Sequence, residues 1–195
     1  MSKEWVTPIG ILEYPWLNSP KTLWKAQGEY VTNLLLDESE AQPLIEKIND
    51  VIEKHYNKMY NEVKDAVRKK LNKRYPYKKD DETGLIRFNF RSDAVKKDGK
   101  VFVLPLVGPD GTPIDREKTL IYSGSEGRIG YRAGPYYMPT IGHAIGCTLY
   151  LNAVQVTKIV SYNVAERYGF TPVVSAGDSQ EDSVADENDE SSQDF

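Results

Sequence analysis

Cysteine is almost missing from this chain: Cys147 stands alone among 195 residues. That excludes an internal disulfide framework and a cysteine-built zinc site, and it suits a reducing compartment. Histidine is nearly as scarce. His55 falls on an apolar helical stripe and His143 in a glycine-rich loop, neither in an HxH or HExxH spacing, so no metal site is expected. The chain holds no apolar run of the ~18 residues a membrane helix needs. Its first ten residues, MSKEWVTPIG, contain no apolar core of a secretion signal. The glycines of GSEGRIG, residues 124–130, match neither a P-loop nor a dinucleotide fingerprint. Cys147 shares strand parity with Leu149 and Leu151 and is expected to be a buried small hydrophobe rather than a nucleophile. No catalytic constellation emerges, so no enzyme and no cofactor is expected.

Positive charge is also missing from one place. Residues 178–195, DSQEDSVADENDESSQDF, hold eight acids, no base and a final phenylalanine. So charged a segment buries too little apolar surface to offset the entropy of ordering it, and a disordered tail is expected over 176–195. The whole chain carries 25 Lys+Arg against 29 Asp+Glu, net −4. Without the eight tail acids, the same 25 bases face 21 acids, net +4. A basic body of single-domain size, residues 1–175, carries an acidic appendage.

Within the body, residues 4–14 and Glu29–Leu36 read as strands, the first interrupted by Pro8, with 18–28 as a loop. From Ser39 to about Arg74 the apolar period changes to three or four: Leu44, Ile48, Val51/Ile52, His55, Met59, Val63, Val67 and Leu71. This predicts one long helix, opened by a Ser39–Gln42 capping box with Pro43 in its first turn. Between Lys64 and Lys79 stand eight bases and one acid. They either complement a helix C-terminus or face a partner.

The clearest strand is Leu85–Ser92, with Ile86, Phe88 and Phe90 on one face and Arg87, Asn89 and Arg91 on the other. The apolar trio reads as core. Val101–Val107 is predicted as a buried strand and Thr119–Tyr122 as a short one. Ala144–Val160 is predicted as a long final strand whose apolar parity switches near Asn152, the mark of a bulge or of burial on both faces. The order, two strands, a helix, then four or five strands, predicts a mainly β fold. Its expected form is a five-stranded OB-fold barrel with one long helix packed against it.

Two faces carry the functional reading. Arg128, Arg132 and Tyr136 share a parity along one extended segment, with Ile129, Tyr131 and Ala133 on the other. Alternating cations and aromatics let bases stack while phosphates are neutralised. The competing reading is a tyrosine-rich edge strand with ordinary surface arginines. Lys3, Arg87, Arg91, Arg128 and Arg132 are the candidate phosphate contacts. Tyr136, with Tyr131 or Tyr137, is the candidate base stack.

Three places resemble the replicative single-stranded DNA-binding proteins of short-tailed, T-odd type bacteriophages. They are Ile86–Arg91, the segment Lys118–Lys158 with its Tyr131 and Tyr136 spacing and its Gly146–Leu151 run, and the terminal Asp194-Phe195. The resemblance implies an OB-fold that binds single strands without sequence preference, a homodimer, and roles in replication, recombination and repair. It implies residence in the cytoplasm of the infected host, with no membrane partner. It places DNA contacts on Lys3, Arg91 and Tyr136. One family arginine falls near Gln27, with Lys25 close by. It further implies that the tail, through Phe195, Asp194, Glu190 and Asp189, contacts the replicative polymerase and the helicase-primase. The charge count adds that the tail competes with DNA. The alternative is an RNA- or protein-binding OB module with a solubilising tail.

Overall fold

Alternation of apolar and polar residues dominates this sequence, and the computed structural model, which describes residues 4–161, is accordingly mainly β with one long helix. The strands are β1 (Trp5–Val6), β2 (Gly10–Lys21), β3 (Glu29–Leu36), β4 (Asn72–Arg74) and β5 (Tyr77–Lys79), followed by β6 (Ile86–Asp93), β7 (Leu106–Val107), β8 (Glu126–Met138) and β9 (Ala144–Lys158). The helices are α1 (Glu38–Glu62) and the single turn α2 (Asp65–Arg68). Five strands pair in a closed circuit. β2 pairs β3, β3 pairs β6, β6 runs parallel to β9, β9 pairs β8, and β8 returns to β2 at Gly10 and Ile11.

Period-two patterning decides which face is inside. Tyr30, Leu34 and Leu36 on β3 point to the core, as do Ile86, Phe88 and Phe90 on β6. On β9 the core set is Cys147, Leu149 and Leu151, then Val154 and Val156. The expected parity switch is a bulge: Tyr131 pairs Leu151 while the preceding Gly130 pairs Ala153, leaving Asn152 unmatched. The helical stripe is equally direct. Ala41, Leu44, Ile48 and Ile52 are buried in the same core, and α1 packs against β8 and β9. Leaving water stabilises each of the three larger aliphatics by ~1.5–3 kcal/mol, more than helix propensity supplies.

Several boundaries differ from the sequence reading. The first strand is only two residues long, and β2 continues through the expected loop to Lys21 before a shorter connection at 22–28. Asp37, not Ser39, is the N-cap, and Gln42 donates to Glu46 instead of closing a capping box. The helix stops at Glu62, because Val63 is extended and the chain then turns back. Residues 72–74 add to the free edge of β9 and residues 77–79 to β6, so strand pairing overrides the helical period there. The Val101–Val107 run is not a buried strand. Val101 and Val103 face solvent, Leu104 and Leu106 are buried, Val101 makes only an isolated bridge to Val95, and the strand of this run is Leu106–Val107. Thr119–Tyr122 is not a strand; its Ile121 amide is held by the Asn18 side chain.

Candidate nucleic-acid interface

The outer face of the circuit collects what the alternation leaves outside. Register places Arg132 of β8 opposite Tyr150 of β9, Tyr150 opposite Arg91 of β6, Arg91 opposite Val31 of β3, and Val31 opposite Trp16 of β2. One row of side chains thus crosses all five strands of the circuit. The Arg132 guanidinium lies over the Tyr150 ring, 4.9 Å from its centroid. At the other end the Lys21 ammonium stands 5.9 Å from the Trp16 ring. Arg91 is exposed and makes no ion pair among the described residues. Cations and aromatic faces therefore share one surface, the combination a single strand needs.

Two glycines allow the aromatics to lie flat on this surface. A Cβ at Gly134 would strike the Tyr150 ring, and one at Gly146 would come 2.6 Å from the Tyr136 hydroxyl. Tyr136 consequently lies across Gly146, directly opposite it in register. A cleft of about 190 Å³ opens there, lined by Pro76, Asn89, Arg91, Tyr136, Thr148 and Leu149. Asn89 also borders a second cleft, of about 260 Å³, that reaches Trp16, Lys21 and Tyr14. Tyr14 has φ 47°, a left-handed conformation unusual for so large a residue, at an irregularity in the β2–β3 register.

Arg91 and Tyr136 line one cleft, and Arg132 lies on the same outer face, against Tyr150. Arg128 shares their face but lies ~13 Å along the strand from Arg132, taking four residues at the usual rise. Its Nε donates to Gln155 Oε1 at 2.7 Å. Three expectations change. Tyr131 is 1 % exposed, tilted against Trp5 and edge-on to Phe90, so its ring belongs to the core and has no face left for a base. Tyr137 alternates to the opposite face from Tyr136, where its hydroxyl bonds His143 Nδ1 at 2.8 Å. Arg87 keeps the outward direction, but its guanidinium is gripped by Glu13 and Asp80, each at 2.7 Å. Those carboxylates raise its already high pKa and take up its charge.

Lys25, the stand-in for the family arginine, is likewise committed, to Asp93 at 2.6 Å and Glu29 at 3.2 Å. Lys3 and the tail residues Asp189, Glu190, Asp194 and Phe195 lie outside the described residues, as does the expected boundary at 175/176. Tyr150 and Trp16 were missed by the sequence reading. Tyr150 alternates with Leu149 and Leu151, so its outward parity was available, but its arginine neighbours are defined only by register.

Among the described residues no group of three or more His, Cys, Asp or Glu side chains is placed to hold a metal ion. Burial pushes the Cys147 thiol up to about 12, so it stays protonated and unreactive at neutral pH. His55 is half-buried on α1, and desolvation lowers its pKa. No helix among the described residues is long and apolar enough to cross a membrane.

No protein-family model and no curated protein matches this sequence. Solved structures do. Gp2.5, a single-stranded DNA-binding protein encoded by bacteriophage T7, superposes with a TM-score of 0.73 at 20 % identity, over 91 % of this chain and 98 % of that one. The single-stranded DNA-binding protein of bacteriophage Enc34, in complex with single-stranded DNA, gives 0.56 at 14 % identity, over 82 % and 89 %. A second structure of the Enc34 protein gives 0.55 at 14 %, over 85 % and 89 %. The fold of this chain is the fold of the phage single-stranded DNA-binding proteins.

Proposed function

We propose that this protein binds single-stranded DNA without sequence preference, on a five-stranded OB-type barrel whose outer face presents Arg91, Arg132, Tyr136 and Tyr150. The observation that carries the reading is the row Arg132–Tyr150–Arg91, a stacked aromatic set between two arginines on one open surface. Arginines neutralise phosphates, and the tyrosine faces stack bases whatever their identity. The shared fold with two phage proteins described as single-stranded DNA-binding supports it. The protein is a binder rather than an enzyme, and replication, recombination and repair in a phage-infected cytoplasm are the processes it would serve. A homodimer belongs to the same proposal.

The acidic segment is the regulatory half of the proposal. Tethered to a body of net +4, eight carboxylates reach a high local concentration over any basic surface and compete with DNA. Phe195, with Asp194, Glu190 and Asp189, would recruit the polymerase and helicase-primase, an aromatic with a neighbouring carboxylate being a compact pocket anchor.

Fluorescence titration of oligo(dT) into the full chain and into residues 1–177, at two salt concentrations, tests both halves. Affinity is expected to fall as salt rises, and removal of the segment is expected to tighten binding on the order of tenfold at low salt. Affinity that ignores salt, or no binding, contradicts the DNA reading. Equal affinity of the two chains at low salt contradicts the competition. A matched RNA oligonucleotide that binds more tightly would favour the RNA-module reading.

A further inference from the structure

The basic stretch Lys64–Lys79 has no role in the face described above, and the structure decides between its two sequence readings. Helix-dipole compensation fails, because α1 ends at Glu62 with no base in its last turn. Five of the eight cations are also not spent on local ion pairs. Arg68 is held by Asp65 and lies over the Tyr60 ring, Lys73 pairs with Glu53, and Lys79 pairs with Glu38. Lys64, Lys69, Lys70, Arg74 and Lys78 are exposed and make no ion pair among the described residues.

Their placement is specific. Arg74 on β4 stands opposite Gly146, which stands opposite Tyr136. Lys78 on β5 stands opposite Arg87, on the face that carries Asn89 and Arg91. Residues paired across strands point to one side of a sheet, so both cations continue the outer face beyond the cleft. Pro76, between them, forms part of the cleft wall beside Arg91 and Tyr136. Tyr75 is 46 % exposed next to Arg74. Lys69 and Lys70 precede Arg74 by five and four residues, which puts them within ~18 Å of it along the chain.

We infer that Lys69, Lys70, Arg74 and Lys78, with Tyr75, form a second segment of the binding path, which takes the phosphates of a strand leaving the Arg91–Tyr136 cleft. The inference rests on the DNA reading of that cleft. Cations without an ion-pair partner, beside one exposed ring, fit a phosphodiester backbone and add affinity without sequence preference. The consequence is a binding site longer than the cleft alone would occlude.

The test uses the full chain carrying K69Q, K70Q, R74Q and K78Q, titrated at low salt with oligo(dT) of about 5 and about 20 nucleotides, lengths spanning a single OB-type site. The short oligonucleotide is expected to bind the variant within about twofold of the unaltered chain, while the long one weakens on the order of tenfold or more. The slope of log K against log salt for the long oligonucleotide is expected to shrink by up to ~2.8, taking ~0.7 per lost phosphate contact. A second variant, with K69R, K70R, R74K and K78R, keeps the charge and is expected to restore binding of the long oligonucleotide. An unchanged affinity for the long oligonucleotide overturns the inference. Equal weakening of both lengths also overturns it, because the change then acts through the cleft, the fold or the acidic segment. If the unaltered chain binds neither length, the DNA reading itself has failed.

Discussion

Arg91→Ala combined with Tyr150→Ala is expected to weaken oligo(dT) binding by roughly 100- to 10,000-fold, through a lost phosphate contact and a lost stack. A base stacked on an aromatic contributes ~1–3 kcal/mol, and a hydrogen bond to a charged group ~1.5–3 kcal/mol. The two residues are opposite each other in register, on β6 and β9, so they meet successive parts of one strand. Arg132 adds a coupling. Its guanidinium rests on the Tyr150 ring, so removing the ring also frees Arg132 to leave its position, and Tyr150→Ala is expected to cost more than one stack alone. Neither side chain is part of the core, so the melting temperature of the variant is expected to match that of the unaltered chain. Titration at one fixed salt concentration measures the effect. A loss under about threefold in an intact fold would remove this row from the interface, since one stacked base alone exceeds that.

Phe90→Ala is expected to cost ~3–5 kcal/mol of folding stability. Phe90 is fully buried on β6, the strand that joins β3 to β9 in the closed circuit. Its ring meets Tyr131 edge-on at 5.4 Å, and Tyr131 in turn packs on Trp5 at 5.6 Å. Truncation leaves a cavity in a triad drawn from β1, β6 and β8, and neighbours fixed by strand pairing cannot collapse into it. The edge-on contact adds ~0.5–1.5 kcal/mol beyond the buried area. Against a total stability of ~5–15 kcal/mol, that loss is a large share. Urea unfolding followed by tyrosine and tryptophan fluorescence reads it directly. A cost below about 1 kcal/mol would mean that this trio is not the packed centre of the sheet.

Arg91 and Phe90 lie on opposite faces of one strand, and that division was legible in six letters. IRFNFR alternates so cleanly that the core trio and the outward Arg91 follow from period two alone. The parity switch near Asn152 was legible too, as a bulge or as burial on both faces, and the register of β8 with β9 decides for the bulge. Where local pattern and long-range pairing compete, the sequence was a poorer guide. Val67 and Leu71 continue a helical period, but the open edge of β9 at Ala144–Gly146 takes up Asn72–Arg74 instead. Nothing local announces that edge.

The site divides along the same line. Arg91, Arg132 and Tyr136 could be read because exposure and residue type sufficed. Arg87 has the same parity and type as Arg91, yet Glu13, seventy-four residues away, and Asp80 neutralise it. Tyr131 carries the right ring on the wrong face, and its parity with Ile129 already said so. Tyr150 and Trp16 join the face only through the register of β9 with β6 and of β2 with β3. The bases at Lys64–Lys79 gained a direction from β4 and β5, two three-residue strands too short for any periodicity to reveal.

The central claim is that one outer surface, crossing β6, β8 and β9, receives the strand. Photo-crosslinking of 4-thiothymidine-substituted oligo(dT) to the full chain, with the adducts mapped to peptides, tests it most directly. Adducts are expected on the segments holding Tyr136, Tyr150 and Arg91, and they should fade as salt rises. Adducts confined to α1, or spread evenly over the chain at every salt concentration, would contradict it.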